Sequence, residues 1–572
     1  MNPDSICRSL LDAGYDVALS SNGTRLTVTL HVAGQALLLE HDFCDELLRV
    51  PRFKLLDGHG FGRLAHVLSI GSGDGGEVCI GDVESMSVSR DFPELVYRQT
   101  VEVHEQLLKK LIQDSAYNRK ERLREFAAHW KVLCSEGKGD WELFVAWDGT
   151  ATKELQVKPS REDGQTSSRS KPLLLAAGSA TDARFARVRK WLEWDRRPTE
   201  GMGIGLRLAQ VEPPPATVEA VPEWYFKATA NLDLVARKAL QRLHKKKSAA
   251  YWVVFSAKIP GSETQFAVRW WSRAKGPLPK SKEEAQKGHW KAMPFRARSL
   301  SRSSLVPRGG GSLDLGDRSV LLVGCGSVGS EVAYSLTSAG VGRLTVSDPD
   351  EMSEDNVYRH TLAMNHIGML KSTAVAEELA LKHPWAAVVH WDRRLETLRN
   401  AETLRSFDLV IIAIGSPTVE RAFAEFCLEA ESHVPTVNCW LEGYGVGGHA
   451  TLVVPGSAGC WHCAYVNSCT LEPGLASNLN FLEENQIVMR NHGGCGTQFL
   501  PFSGIAARQT AAMAADLAVA FLSGEVRESS RVSWKGRVAE STCLQTTYRY
   551  RNFNDSLRVL PLRNENCGYC SG

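Results

Sequence analysis

The sequence predicts a multidomain α/β protein whose carboxyl-terminal part is a doubly wound, mostly parallel sheet fastened by a structural zinc. Three observations carry this. A glycine turn, Gly324-Cys325-Gly326-Ser327-Val328-Gly329, joins an apolar strand (SVLLVG) to a helix (SEVAYSLTSAG). A second strand, RLTVSD, ends at Asp348, and a third apolar run, FDLVIIAIG, follows. Two Cys-x-x-Cys pairs, Cys460/Cys463 and Cys567/Cys570, lie downstream. Alternating strand and helix is the pattern of a parallel sheet. Four thiols in two short knuckles are the pattern of closed tetrahedral zinc.

At 572 residues the chain is long enough for three or four domains, taking roughly 150 residues each. A content of 43% apolar and 23% charged residues provides for a core in each. The net charge of +2 predicts no global field for nucleic acid or membrane. No apolar run reaches the roughly eighteen residues of a membrane helix, and the first residues lack a secretory pattern. Fourteen cysteines, four of them in tight pairs, suit thiol and metal chemistry in a reducing cytoplasm.

Taken in order, residues 1–92 read as a short helix followed by strands (TRLTVTLHV, ALLLEH, and a candidate over 63–70). Residues 93–130 carry one helical period. Residues 131–270 mix strands (WELFVAW, YWVVFSA, TQFAVRWW) with a polar stretch, PSREDGQTSSRSKP, and yield no definite fold. Residues 269–308, with eleven Lys/Arg against two Glu, read as a solvated linker, with an acidic partner as the functional alternative. The last unit begins at 312.

Gly324, Gly326 and Gly329 form GxGxxG between strand and helix. There the missing side chains let backbone approach phosphates at the helix N-terminus. Asp348, 19 residues after Gly329, stands where an acid binds ribose hydroxyls.

Asp348, Asn356, Arg359 and Lys371 together resemble the ThiF/MoeB/ubiquitin-activating family. That resemblance implies ATP as substrate, Mg²⁺ beside it, and Asn356, Arg359 and Lys371 at the triphosphate. Cations are needed because a carboxylate must attack an anionic α-phosphoryl group. One departure stands out: Gly415 and Ser416 occupy the place of the family's magnesium-binding Asp, although Arg421 fits the Arg that follows it. The partner-supplied arginine of homodimeric members is unassigned, with Arg308 a weak candidate. Cys495, in the glycine-rich NHGGCGTQF, matches the family's transfer cysteine, with Cys469 and Cys543 as runners-up. Its thiolate would attack an acyl-adenylate to give a thioester.

Near the amino terminus, RLAHVLSIGSGDGGEVCIGD resembles bacterial ubiquitin-conjugating domains. Gly76, Cys79 and Asp82 fit the active-site strand, and His66 sits at its first polar position. Cys79 would accept the acyl group from Cys495 and pass it to a lysine; His66 would orient or stabilise the oxyanion. The resemblance thus implies a conjugating-like domain (1–130), a linker or substrate-adaptor region (131–311) and a Rossmann-like adenylation domain (312–572). That order is similar to the activating–conjugating fusions of CBASS antiphage operons. Those load the C-terminal carboxylate of a cGAS-like nucleotidyltransferase. The alternatives are the same relay acting on a bacterial ubiquitin-like protein, or an adenylyltransferase for a sulfur-carrier protein. A homodimer is implied by resemblance alone.

Overall fold

The structure, a computed structural model, describes all residues except 1, 44–46, 70–72, 82–85, 137–141, 160–172, 178–198, 200, 468–469, 492–497, 539–542 and 571–572. Cys495, Asp82 and Cys469 therefore lie outside the described residues. The chain divides into two compact units that meet in sequence at Ser301/Arg302.

The first unit contains two sheets. The amino-terminal one is a meander, Asp16–Leu19, Arg25–Val32 and Gln35–Asp42, continued by the short strands Lys54–Leu55, Gly76–Val78 and Val67–Leu68. Arg25–Val32 alternates strictly, burying Leu26, Val28, Leu30 and Val32. Those side chains share a core with Ile6 and Leu10 of the helix Pro3–Asp12, and with Tyr97, Val101 and Leu108 of the helix Pro93–Gln113. The helical period over 93–130 is in fact three helices. Asp114 takes an extended conformation, ends Pro93–Gln113, and its carboxylate accepts from the Tyr117 N–H to start Ser115–Arg124; Phe126–Glu136 follows.

The second sheet is a closed barrel of seven described strands, in the order Gly201–Leu208, Ser248–Ile259, Ser262–Gly276, Lys291–Ser299, Glu142–Ala146, Leu173–Ala177, Lys153–Pro159. Its longest strands are apolar on both faces. Trp252 and Val254 pack inward with Phe295, while Tyr251, Val253 and Phe255 pack outward under helices bearing Phe126, Trp130 and Trp224. This corrects the linker reading of 269–308: the segment carries the end of the barrel strand Ser262–Gly276, the helix Lys282–Lys287, the barrel strand Lys291–Ser299 and the helix Arg302–Arg308. Within these strands Arg269 precedes the buried Trp270, and the exposed Arg296 follows the buried Phe295. Two of the segment's cations lie over aromatic rings, Arg269 on Trp252 (5.2 Å) and Arg298 on Phe144 (5.5 Å). A composition count registered the cations and missed the pleat.

The second unit is the doubly wound sheet. Strands Ala387–Trp391, Arg343–Ser347, Ser319–Val323, Leu409–Ile412 and Thr436–Leu441 run parallel. Gly447–Val453, Ser530–Lys535 and Leu560–Pro561 extend the sheet antiparallel. Ser319–Val323 lies between its successor in sequence and the later Leu409–Ile412, so the strand order reverses there. In open α/β sheets the crevice at such a reversal is where ligands bind. The helix Gly504–Leu522 is long and apolar enough to cross a membrane by length and composition. It packs as a core helix: Ala506, Ala507, Thr510, Ala511, Ala514 and Ala518 are buried against Ser327–Ala339 and the Gly447–Val453 strand.

Candidate nucleotide site and cysteine cluster

A cavity of about 650 Å³ opens at the reversal point, lined by Gly326, Ser327, Asn356, Arg359, Lys371 and Gly415 among others. The glycine turn is built for it. Gly324 holds φ +95°, which favours glycine, and a Cβ on Gly326 would meet nothing within 4 Å, so its backbone faces open space. A Cβ on Gly329 would collide with the Gly324 carbonyl. Gly329→Ala should therefore cost about 1–3 kcal/mol in a urea melt. Gly326→Ala should leave stability within about 0.5 kcal/mol while weakening nucleotide binding.

His360, which the sequence reading passed over, braces this turn. Its Nδ1 accepts from the Leu362 N–H (3.1 Å), so Nε2 carries the proton and donates to the Cys325 carbonyl at 2.6 Å. Burial pushes its pKa down to about 4, keeping the ring neutral. Asp348 also serves the turn. Its carboxylate accepts from the N–H groups of Cys325 (2.6 Å) and Asp350 (2.8 Å), and burial raises its pKa. Asp348 is not among the cavity-lining residues. Asp350, two residues on, instead lies 3.5 Å from Lys371 Nζ. The second acid of Asp-Pro-Asp was the available signal for it.

Arg359 follows the turn Glu354–Asn356, where Asn356 Oδ1 accepts from the Ser353 N–H (3.4 Å). The Arg359 guanidinium lies over Phe502 (4.9 Å), Nη1 reaches the Leu500 carbonyl at 3.5 Å, and its buried Nε has no partner. A buried, unsatisfied cationic donor facing a cavity beside an open glycine turn fits a phosphate.

Asn480 and Leu482 also line the cavity, and the N–H groups of Phe481 and Leu482 donate to Glu442 at 2.7 and 2.8 Å. Glu442 also accepts from His449 Nε2 (2.8 Å), and His449 Nδ1 meets Ser533 Oγ (2.8 Å). Glu420 lines the floor, 3% exposed, with its pKa pushed up to about 7 by burial. Neither glutamate carries a motif visible in the sequence. Trp440, another lining residue, donates to Asn480 Oδ1 (2.9 Å) and meets Trp461 edge-on at 5.6 Å.

Trp461 adjoins the cysteine cluster. Sγ of Cys460, Cys463, Cys567 and Cys570 all lie within 4.8 Å of one another, with Cys460–Cys567 at 3.7 Å and Cys463–Cys570 at 3.4 Å. Thiolates about 2.3 Å from a tetrahedral zinc stand about 3.8 Å apart, so the four fit that ion. His462 stacks on Tyr569 (3.8 Å between centroids), and both its ring nitrogens are buried without partners. Arg421 donates to the Gly474 carbonyl (3.0 Å), and its guanidinium lies over Tyr465, outside the nucleotide cavity's lining.

In the first unit, Cys79 is exposed just after the strand Gly76–Val78, and its N–H donates to the His66 carbonyl at 2.7 Å. The His66 ring is committed elsewhere: Nδ1 lies 2.7 Å from Glu125 and Nε2 3.5 Å from Glu121. The Glu125 hydrogen bond outweighs burial and raises the His66 pKa. Burial opposes ionisation of Glu125, but His66 wins and lowers its pKa. The ion pair thus stabilises between those two values; it is lost as pH rises through that of His66 or falls through that of Glu125. A proton NMR titration should place His66 above the ordinary 6.5, and Glu125→Gln should bring it down.

Residues 300–570 match the ThiF family model. An ATP-dependent ubiquitin transferase-like protein Cap2 of Vibrio cholerae is 26% identical over 221 residues, 37% of each chain. An Arabidopsis thaliana ubiquitin-like modifier-activating enzyme 5 is 29% identical over 166 residues, 26% of this chain and 37% of its own. The chain thus spans just over a third of the length of these two relatives. Among solved structures, E. coli MccB aligns with TM-score 0.32 at 17% identity, over 45% of this chain and 67% of its own. Residues 300–570 are a ThiF-family domain, in a chain that resembles the bacterial Cap2 ubiquitin transferase-like proteins.

Proposed function

We propose that this chain adenylates a protein's C-terminal carboxylate with ATP and passes the acyl group through two thioesters to an amine. The observation that carries the reading is the cavity at the strand reversal, whose lining joins an open glycine turn with Lys371 and with Arg359, whose buried Nε has no partner. In the first step a carboxylate oxygen bonds to the α-phosphorus, the α–β bridging bond breaks, and pyrophosphate leaves. Arg359 and Lys371 offset the charge that both anionic reactants bring, with Asn356 at the phosphates and Asp348 or Asp350 on the ribose side. Mg²⁺ supplies further charge neutralisation at the phosphates. The cysteine cluster holds zinc as a structural clamp.

Cys495 then attacks the acyl carbon and releases AMP. Cys79 takes the acyl group by thioester exchange, and a target lysine displaces it as an isopeptide. The helix-then-meander of the first 130 residues and the exposed Cys79 support a conjugating-like role. With its ring paired to Glu125, His66 fits a part in positioning the Cys79 strand better than a direct part at an oxyanion. The carried protein we infer is a cGAS-like nucleotidyltransferase in antiphage (CBASS) defence, in a cytoplasmic homodimer. The Cap2 relatives support that choice over a sulfur-carrier activator, which needs no Cys79.

The test is intact mass under denaturing, non-reducing conditions after co-expression with the neighbouring genes. Wild type should carry a reducible protein adduct whose mass identifies the substrate. Cys495→Ala should carry none, and Cys79→Ala should stall with the adduct on Cys495. A wild type free of adduct with ATP and every neighbour present would end the relay reading.

A further inference from the structure

The carboxylates lining the described cavity are Glu420, Glu442, Glu483 and Glu484. Glu483 and Glu484 are exposed at its mouth. Both oxygens of Glu442 are engaged, by His449 and the N–H groups of Phe481 and Leu482. Glu420 is different. It sits one turn into the helix Pro417–Glu429 but its side chain folds back to the helix start, where Oε1 accepts from the Ser416 N–H at 3.2 Å. Oε2 accepts from Asn438 Nδ2 at 3.2 Å. No arginine, lysine or histidine among the described residues hydrogen-bonds or ion-pairs with it. The Gly415 N–H also hydrogen-bonds it; an ionised carboxylate has about four acceptor positions, so these three donors leave room for one further partner from the cavity. Gly415, Pro417 and Cys439, all uncharged, also line the cavity.

A buried anion without a cation is costly, which is why burial pushes the Glu420 pKa up and holds a proton there until a cation replaces it. A triphosphate entering the cavity brings only more negative charge, and a divalent cation with oxygen ligands answers both. Folding back to Ser416 also sets the Glu420 carboxylate beside the position where the chain lacks the expected acid. We propose that Glu420 is the protein's carboxylate ligand for the divalent cation that accompanies the nucleotide phosphates. This rests on the adenylation reading.

The test uses the full chain, α,β-methylene-ATP and Mn²⁺, with affinity read by calorimetry in Mn²⁺ and in EDTA. Wild type should bind the analogue about tenfold tighter with Mn²⁺. Glu420→Gln should lose that enhancement while keeping its EDTA affinity, and adding Ser416→Asp should restore it. Full Mn²⁺ enhancement in Glu420→Gln overturns the proposal. Should Glu420→Gln fail to fold, Glu420→Asp keeps the charge and draws it back by one methylene: a weakened enhancement supports the proposal, an unchanged one overturns it. A wild type that binds the analogue under neither condition defeats the nucleotide reading itself, and this proposal with it.

Discussion

Arg359→Ala should lower ATP–pyrophosphate exchange by about 10²–10³-fold, the scale seen when one preorganised charge-stabilising donor is removed. Its guanidinium is already positioned, over Phe502 and against the Leu500 carbonyl, with a buried Nε that nothing satisfies. No ordering is left to be done when phosphate arrives, so the full interaction is available to the transition state. Lys371 differs. It lies 3.5 Å from Asp350, which is largely exposed, and must share its charge. Lys371→Ala should therefore cost less than Arg359→Ala. Arg359→Lys should recover only part, because an ammonium lacks the planar fork and the ring contact. Normal exchange in Arg359→Ala would place the triphosphate elsewhere.

The second large effect is loss of the cysteine cluster. Cys567→Ser should remove one equivalent of bound zinc and destabilise the second unit by about 4 kcal/mol or more, the range reserved for lost metals and similar defects. That corresponds to a fall in Tm of about 8–16 °C for a unit of this size. The four thiols join segments 107 residues apart in sequence, as the Cys460–Cys567 and Cys463–Cys570 pairs show. Without a cation their sulfurs are crowded in a largely buried site. Cys543→Ser is the control, since Cys543 is exposed and outside the cluster. Unchanged zinc content in Cys567→Ser would refute the clamp.

Why some of this was legible in sequence and some not follows from the range of each interaction. The glycine turn, Arg359, Lys371 and the two knuckles announce themselves because local backbone geometry or short spacing demands those residue types. Arg359 and Lys371 line one cavity together with Gly326 and Ser327 of the turn. Glu420, Glu442 and His360 left no such mark: their roles come from partners far along the chain or from a side chain folding back on its own helix. Asp348 has a second task that the motif does not announce, since its carboxylate also accepts from the N–H groups of Cys325 and Asp350. The barrel was missed for a related reason. YWVVFSA and TQFAVRWW read as strands, but the pairings that close them into a barrel join segments far apart in sequence.

The edge-on contact between Trp440 and Trp461 has an optical consequence. One indole borders the nucleotide cavity and the other neighbours Cys460, so the pair forms an intrinsic emitter with one end at each site. Occupancy of the cavity and metallation of the thiols should both alter the same fluorescence band, by quenching and by changed energy transfer between the rings. A titration with nucleotide and one with chelator could then be followed in the unlabelled protein, and any difference in the spectra would report how far strain at one site travels to the other.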